Sequence, residues 1–192
     1  MSKNILIING HPDSLSFCAA LSEAYKNGAL TTSATIKEIN IRDLDFKINL
    51  EHGYRKRTDL EPCLIQAQKD IFEADHLVII HPVWWGSVPA IMKGFFDRIL
   101  LPGFFFKKIP NSTKWEKLLK NKSARIIYTL DTPRYLWWLA GRPSYVALKH
   151  ITLGYCGVKP IKGTPIGIVR LSTESQRTKW LNKVEKLGMK NE

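Results

Sequence analysis

Acidic residues are few. The 192-residue chain carries 17 Asp and Glu against 29 Lys and Arg, a formal net charge of +12. Such a balance suits a polyanionic ligand, an acidic membrane surface or nucleic acid. The basic residues are spread along the chain, however, with modest clusters only at "YRKR" (54–57) and "KLLKNKSAR" (117–125). No zinc-finger, RNP-type or helix-turn-helix pattern accompanies them, so no nucleic-acid partner is expected. Cysteine is scarce as well. Cys18, Cys63 and Cys156 are scattered with no CxxC, which excludes a disulfide frame and a zinc site and reads as reduced thiols in a cytoplasmic protein. The longest nearly apolar stretch, "LVIIHPVWWGSVPAIM", is broken by His81, two prolines, Gly86 and Ser87. It falls short of the roughly 20 apolar residues of a membrane span. No opening run resembles a signal peptide, because Lys3 and Asn4 lead straight into "ILII". Neither GxxxxGK[ST] nor GxGxxG occurs, so a Walker loop and a dinucleotide fingerprint are both excluded.

What is present is an alternation. "NILII" (4–8) is a short, nearly continuous apolar run bounded by Gly10 and Pro12, as a strand buried on both faces should be. Phe17, Ala20, Leu21, Ala24 and Tyr25 then follow helical spacing. The same reading predicts strands at 34–41, 76–80, 124–130 and 165–171. It places helices at about 59–74, 88–99, 144–155 and 173–187, and leaves 42–58, 102–122 and 131–143 irregular. Strand and helix alternating five times predicts a parallel sheet with helices on both faces. The expectation is a single domain, 1–192, with the flavodoxin-like three-layer α/β sandwich and a five-stranded sheet of order 2-1-3-4-5. The ligand crevice of that order lies at the carboxyl ends of strands 1 and 3.

Three loops then share one rim. After strand 1, "NGHPDSLSF" (9–17) offers Ser14 and Ser16 as N-cap residues and His11 nearby. A helix start presents free N–H groups and a positive dipole end, a ready seat for a phosphate. After strand 3, "HPVWWGSVP" (81–89) holds Trp84 and Trp85 between a proline and a glycine. Adjacent strand residues point to opposite faces, so one core does not easily take both rings. Gly86 lets the backbone approach a flat ring, Trp85 is expected to flank that ring, and Trp84 is expected to pack. After strand 4, "TLDTPR" (129–134) adds hydroxyls and an Asp. A ligand with a phosphate at one end and a flat, hydrogen-bonding ring system at the other fits all three loops, and flavin mononucleotide is such a ligand.

The stretches "HPDSLSF" (11–17), "ADHLVIIHPVWWGSVPAIMKGFFDRIL" (74–100) and "TLDTP" (129–133) together resemble the flavodoxin-like NAD(P)H:quinone oxidoreductase family. That family includes drug-activity modulators and ancillary subunits of potassium-efflux systems. The middle block, P-[VL]-x-W-x-x-x-P-A-x-[ML]-K-G-[FW]-F-[DE]-R, is its most specific part. The resemblance implies that His11, Ser16, Phe17 and Cys18 occupy phosphate-binding positions. It places Pro82, Val83, Trp84 and Trp85 beside the isoalloxazine and Thr129, Leu130, Asp131 and Thr132 in the third flavin loop. Two departures stand out: "LDT" replaces the glycine pair of many relatives, and Cys18 replaces a more usual asparagine. The cofactor implied is FMN, with FAD as the alternative. Tyr135, Tyr145 and His150 are candidates for the substrate pocket.

The activity implied is two-electron transfer from NAD(P)H through flavin N5 to a quinone or similar small acceptor, with no side-chain nucleophile required. Two other readings compete. An electron-carrier flavodoxin would be acidic, and this chain is not. A flavin-binding regulatory subunit would dock on a membrane transporter, a peripheral contact for which "YLWWLAG" (135–141) is the candidate surface. The stripe from Val88 to Ile99, "GFFF" (103–106) and "YLWW" offer more apolar surface than one chain readily hides. A two-fold homodimer with the active sites at its interface is expected.

Overall fold

The computed structural model describes residues 2–192 except 54, 57 and 141. Five strands form one fully parallel sheet: β1 (Asn4–Asn9), β2 (Thr35–Asn40), β3 (His76–Pro82), β6 (Ser123–Leu130) and β7 (Ile161–Gly167). Its order is β2-β1-β3-β6-β7. The numbering differs from the expected 2-1-3-4-5 because an antiparallel hairpin, β4 (Phe106–Lys108) with β5 (Trp115–Lys117), interrupts the chain between β3 and β6. Strands of three residues are too short to show a period of two, so the hairpin lay hidden in the irregular stretch 102–122.

Both faces of the sheet are covered, and the central strand β3 is buried along its whole length. On one face α1 (Phe17–Leu30) and the terminal helix α7 (Glu174–Met189) pack over Ile5, Ile7, Val78 and Ile127. Those two helices meet at glycines. A Cβ on Gly28 would stand 1.9 Å from the Glu185 carbonyl oxygen, and one on Gly188 would stand 2.1 Å from that of Tyr25. On the other face α2 (Pro62–Glu73), α3 (Ala90–Ile99) and the helical stretch that follows β6 enclose Leu6, Ile8, Leu77, Ile79 and Ile126.

The helical stretch after β6 departs from the single helix expected at 144–155. It comprises α4 (Trp137–Ala140), α5 (Arg142–Val146), a π-helix (Ala147–Leu153) and α6 (Gly154–Cys156). The last strand is displaced from the expected 165–171 to Ile161–Gly167. β7 is an edge strand whose first residues, "IKGT", are largely polar. Its register is set by the start of β6, where the Ala124 N–H donates to the Pro160 carbonyl and Ala124 pairs with Ile161. An apolar run therefore marks its position poorly. Proline sharpens two other boundaries. Pro62 stands in the first turn of α2, and Pro89 precedes α3, where a missing N–H costs nothing.

A buried arginine ties the loop between β2 and α2 to α3. Arg98, 1% exposed on α3, donates to the Lys47 and Asp59 carbonyls and to both carboxylate oxygens of Glu61, at 2.8 Å for Nη2 to Oε2. Where α3 passes this loop, Gly94 leaves room for Ile48, and a Cβ there would come within 2.3 Å of the Ile48 methyl.

Candidate functional site

The loops after β1, β3 and β6 leave the sheet at one end, as the parallel order requires. The first is held tightly. The Gly10 N–H donates to the Ile80 carbonyl at 2.8 Å, and the His11 N–H donates to Asn9 Oδ1 at 3.1 Å. The Asp13 N–H donates to His11 Nδ1 at 3.0 Å, which leaves the ring proton of neutral His11 on Nε2 as a free donor. Burial first, opposed by Asp13, lowers the pKa of His11 and keeps that neutral form. Asp13 turns its carboxylate onto the Leu15 N–H at 2.9 Å.

Ser16 is the N-cap of α1, and its Oγ accepts from the Ala19 N–H at 3.2 Å. Ser14, the other capping candidate, stands exposed in the turn two residues earlier. Among the described residues, the backbone N–H groups of Phe17 and Cys18 find no acceptor within the protein, and no acidic residue stands in the first turn. These are the orphan donors of a helix start, with the positive end of the dipole behind them.

Two of the proposed phosphate residues turn their side chains away. The Phe17 ring lies 6.0 Å from Trp180 on α7 and beneath the Arg177 guanidinium. Cys18 is 1% exposed with its Sγ 3.5 Å from Thr129 Oγ1, and burial pushes the thiol up to about 12. It stays protonated and packs. Only the main chain of these two positions faces the loop.

The "WWGS" turn is a hydrogen-bonded hairpin end. The Trp84 N–H donates to the Ser87 carbonyl at 3.0 Å and the Ser87 N–H returns to Trp84 at 2.9 Å. Between them Trp85 (φ 50°) and Gly86 (φ 73°) both have positive φ, the geometry of a type I′ turn. Gly86 adopts it without cost, whereas a bulky residue at φ 50° is an outlier. Trp85 is fully exposed, so no packing in the protein repays that strain. Trp84 was expected to pack, yet it is 44% exposed and stands edge-on to His11 at 5.5 Å. A two-residue turn throws both indoles clear of the core, which strand alternation does not foresee. Trp84 and His11 thereby join the first loop to the second.

In the third loop β6 runs as far as Leu130, so Thr129 and Leu130 are buried strand residues. The Thr129 carbonyl accepts from the Val83 N–H at 2.7 Å. The Asp131 carboxylate is engaged by the Arg170 N–H at 2.7 Å, and Thr132 lines a cleft with Trp137 and Trp180. Pro82 is buried at the end of β3, and Val83 packs on the core beside it. Of the pocket candidates, Tyr145 stacks on Tyr128 at 5.7 Å within the sheet covering, while Tyr135 and His150 are exposed.

Two polar residues that sequence reasoning passed over lie at the ends of β1 and β3. Asn9 and His81 are both buried, and among the described residues Asn9 Nδ2 and His81 Nε2 have no partner. His81 lies near-parallel to Tyr128 at 6.1 Å and donates from Nδ1 to the Pro82 carbonyl at 2.9 Å. Burial lowers its pKa to about 4, so it is neutral near pH 7. The "NG" at 9–10 was a visible turn signal, but nothing local announced a buried Asn.

Trp85→Ala separates wall from core. Removing a fully exposed ring should change stability by no more than about 0.5 kcal/mol. If the ring covers a bound flat ligand, affinity should fall by up to about tenfold, the worth of one aromatic contact. Flavin titration with thermal midpoints for the same samples reads both. A large loss of midpoint would place the indole in the core instead.

The geometry defines a class, an α/β protein of flavodoxin-like architecture with a ligand rim at the carboxyl ends of β1, β3 and β6. Comparison with known proteins agrees. A family model described as "Flavodoxin-like fold" matches residues 3–187. The chain belongs to that family. The ribosyldihydronicotinamide dehydrogenase [quinone] of Rattus norvegicus is 27% identical over 215 residues, covering 96% of this chain and 92% of the relative. Two solved structures share the fold. One is an NAD(P)H:quinone oxidoreductase from Methanothermobacter marburgensis (TM-score 0.81, 21% identity, 100% of this chain and 97% of that one). The other is an FMN-dependent NADH-azoreductase from Bacillus anthracis in complex with FMN (TM-score 0.74, 19% identity, 100% and 99%).

Proposed function

We propose that this chain is an FMN-dependent oxidoreductase that carries two electrons from NAD(P)H to a quinone or similar small acceptor. The observation that carries the reading is the convergence, on one rim, of unpartnered N–H groups at the start of α1 and a fully exposed indole on a strained turn. The residues fit the group. The N–H groups of Phe17 and Cys18, with the Ser16 hydroxyl and His11 Nε2–H, suit a phosphate. Trp84 and Trp85, with the main chain around Gly86, suit a flat ring. The relatives' names, a quinone-reducing dehydrogenase and an FMN-dependent azoreductase, support the same chemistry.

A bound flavin would supply the two-electron carriage between NAD(P)H and the acceptor. The protein's part is to hold and tune. The α1 dipole end and His11 anchor the negative end. In this reading the main-chain N–H groups of Trp85 and Gly86, which no acceptor among the described residues engages, would steady charge on the reduced ring. The indoles keep water from one side. Net, NAD(P)H, a proton and a quinone give NAD(P)+ and a hydroquinone. A second copy of the chain closes the pocket in this reading, supported by large exposed apolar side chains on the rim such as Leu15, Trp85, Tyr135 and Trp138.

The test is spectral and kinetic together. Purified protein reconstituted with FMN should absorb in the flavin bands and oxidise NAD(P)H when benzoquinone is added. A protein that binds flavin but shows no quinone-dependent NAD(P)H oxidation would be a carrier or a regulatory subunit. One that binds neither FMN nor FAD would sink the proposal.

A further inference from the structure

Toward the opposite end of the sheet, the chain before β7 forms a second cleft. It encloses about 490 Å³ and is lined by Lys117, Lys120, Lys149, Lys159 and His150 over a floor that includes Gly157. β6 separates this region from the rim by its eight residues, a span of about 25 Å. We propose that this cleft is an anion site for a phosphoryl group carrying several negative charges, independent of the flavin rim.

The argument starts from charge. Four lysines come together from separate elements: β5, the turn before β6, the π-helix and the turn before β7. Among the described residues, no acidic residue lines the cleft. The contacts of two of these lysines are with neutral groups. Lys117 donates to the Gly154 carbonyl at 3.2 Å, and the Lys149 ammonium lies 5.4 Å over the Tyr145 ring. Among the described residues, none of the four forms an ion pair. Some cations elsewhere are paired, as Lys26 is with Glu38, Lys37 with Asp70 and Lys93 with Asp97. Uncompensated like charges in a concave site repel one another and raise the local concentration of anions.

The backbone around the cleft is irregular, with a π-helix and a positive-φ glycine. The seven-residue π-helix Ala147–Leu153 carries Lys149 and His150, and such widened turns are rare and frequently found at functional sites. Gly157 turns the chain at φ 109°, and a Cβ there would stand 2.9 Å from Lys117 Cβ. Its lack of a side chain keeps the floor low. The volume is of small-ligand size, and four ammonium groups with an imidazole match a phosphoryl anion carrying two or more negative charges. A pyrophosphate-bearing metabolite and a phospholipid headgroup share that chemistry.

The test uses the full-length protein at low salt and two probes. Pyrophosphate is titrated calorimetrically, and vesicles of phosphatidic acid in phosphatidylcholine are used for co-sedimentation. Lys120→Glu and Lys159→Glu alter exposed side chains and should leave the thermal midpoint in place. Lys69→Glu, on the exposed face of α2, makes the same change of net charge away from the cleft. Saturable binding of one probe should weaken about tenfold or more in each cleft variant and less than about twofold in the Lys69 variant. Pyrophosphate binding with no vesicle binding assigns a soluble ligand, and the reverse assigns a headgroup. No saturable binding of either probe overturns the proposal. So does equal weakening by Lys69→Glu, which would reduce the effect to net charge, or a preference for duplex DNA over both probes.

Discussion

A glutamate in place of Ser16 is expected to weaken flavin binding by about two orders of magnitude. Ser16 caps α1 and stands beside the unpartnered N–H groups of Phe17 and Cys18. A carboxylate there competes for those donors and lies within a few ångströms of the phosphate they are proposed to hold. Two unit charges about 4 Å apart at an effective dielectric of about 20 repel by about 4 kcal/mol, and solvent at this open rim reduces the figure. Ser16→Ala is the companion variant. It removes the cap, at a cost of about 1 kcal/mol to stability, but adds no charge, so its effect on flavin should be several-fold only. Dissociation constants from flavin fluorescence quenching, with thermal midpoints of the same apoproteins, distinguish the two causes. An unchanged constant in Ser16→Glu would move the phosphate to another part of the rim.

Arg98→Ala should be the most destabilising single change considered for this chain, at about 3 kcal/mol. The guanidinium is 1% exposed, and its two terminal nitrogens satisfy two main-chain carbonyls and the Glu61 carboxylate. Truncation leaves the two carbonyls and Glu61 Oε2 without a donor, while Glu61 Oε1 keeps the Lys47 N–H at 3.0 Å. Removing one partner of a buried pair costs about 3–5 kcal/mol, and the partial exposure of Glu61 argues for the lower end. For a chain of this size the thermal midpoint should fall by about 6–12 °C. Arg98→Lys should recover little, because a single ammonium cannot span the carbonyls of Lys47 and Asp59 and the carboxylate together. A midpoint within about 2 °C of the parent protein for Arg98→Ala would show that the 44–61 loop is held by other contacts. The flavin rim is expected to survive in whatever fraction remains folded, since Arg98 sits near the far end of α3.

How far each feature was legible follows from the range over which its cause acts. Period-2 and period-3.6 patterns, caps and turn residues act between neighbours. "NILII", "HLVII" and "ARIIYTL" therefore announced three buried parallel strands, and Ser16 announced a helix start. The crossover rule then brought three loops to one rim without any coordinate. The edge strand was misplaced because one face and one edge of it meet solvent, which dilutes the apolar signal. The hairpin was missed because three residues carry no period.

Side-chain destinations were decided by tertiary structure alone. Phe17 could serve a ligand or a core by its type. Packing of α7 on α1 took its ring to Trp180. The tryptophan pair was read as one wall and one packing residue. The register of a two-residue turn, with φ positive at both Trp85 and Gly86, put both indoles outside. Arg98 reads in sequence as the last-turn cation of an amphipathic helix. Glu61, 37 residues away, reaches it only because α2 lies against α3. The four lysines of the second cleft are separated in the chain by up to about 40 residues, too far for any local pattern to link them. The order of strands and the position of the rim are thus properties of the sequence. Which side chains face the rim, the core or the basic cleft depends on how rigid layers meet, because packing acts between residues that are distant along the chain.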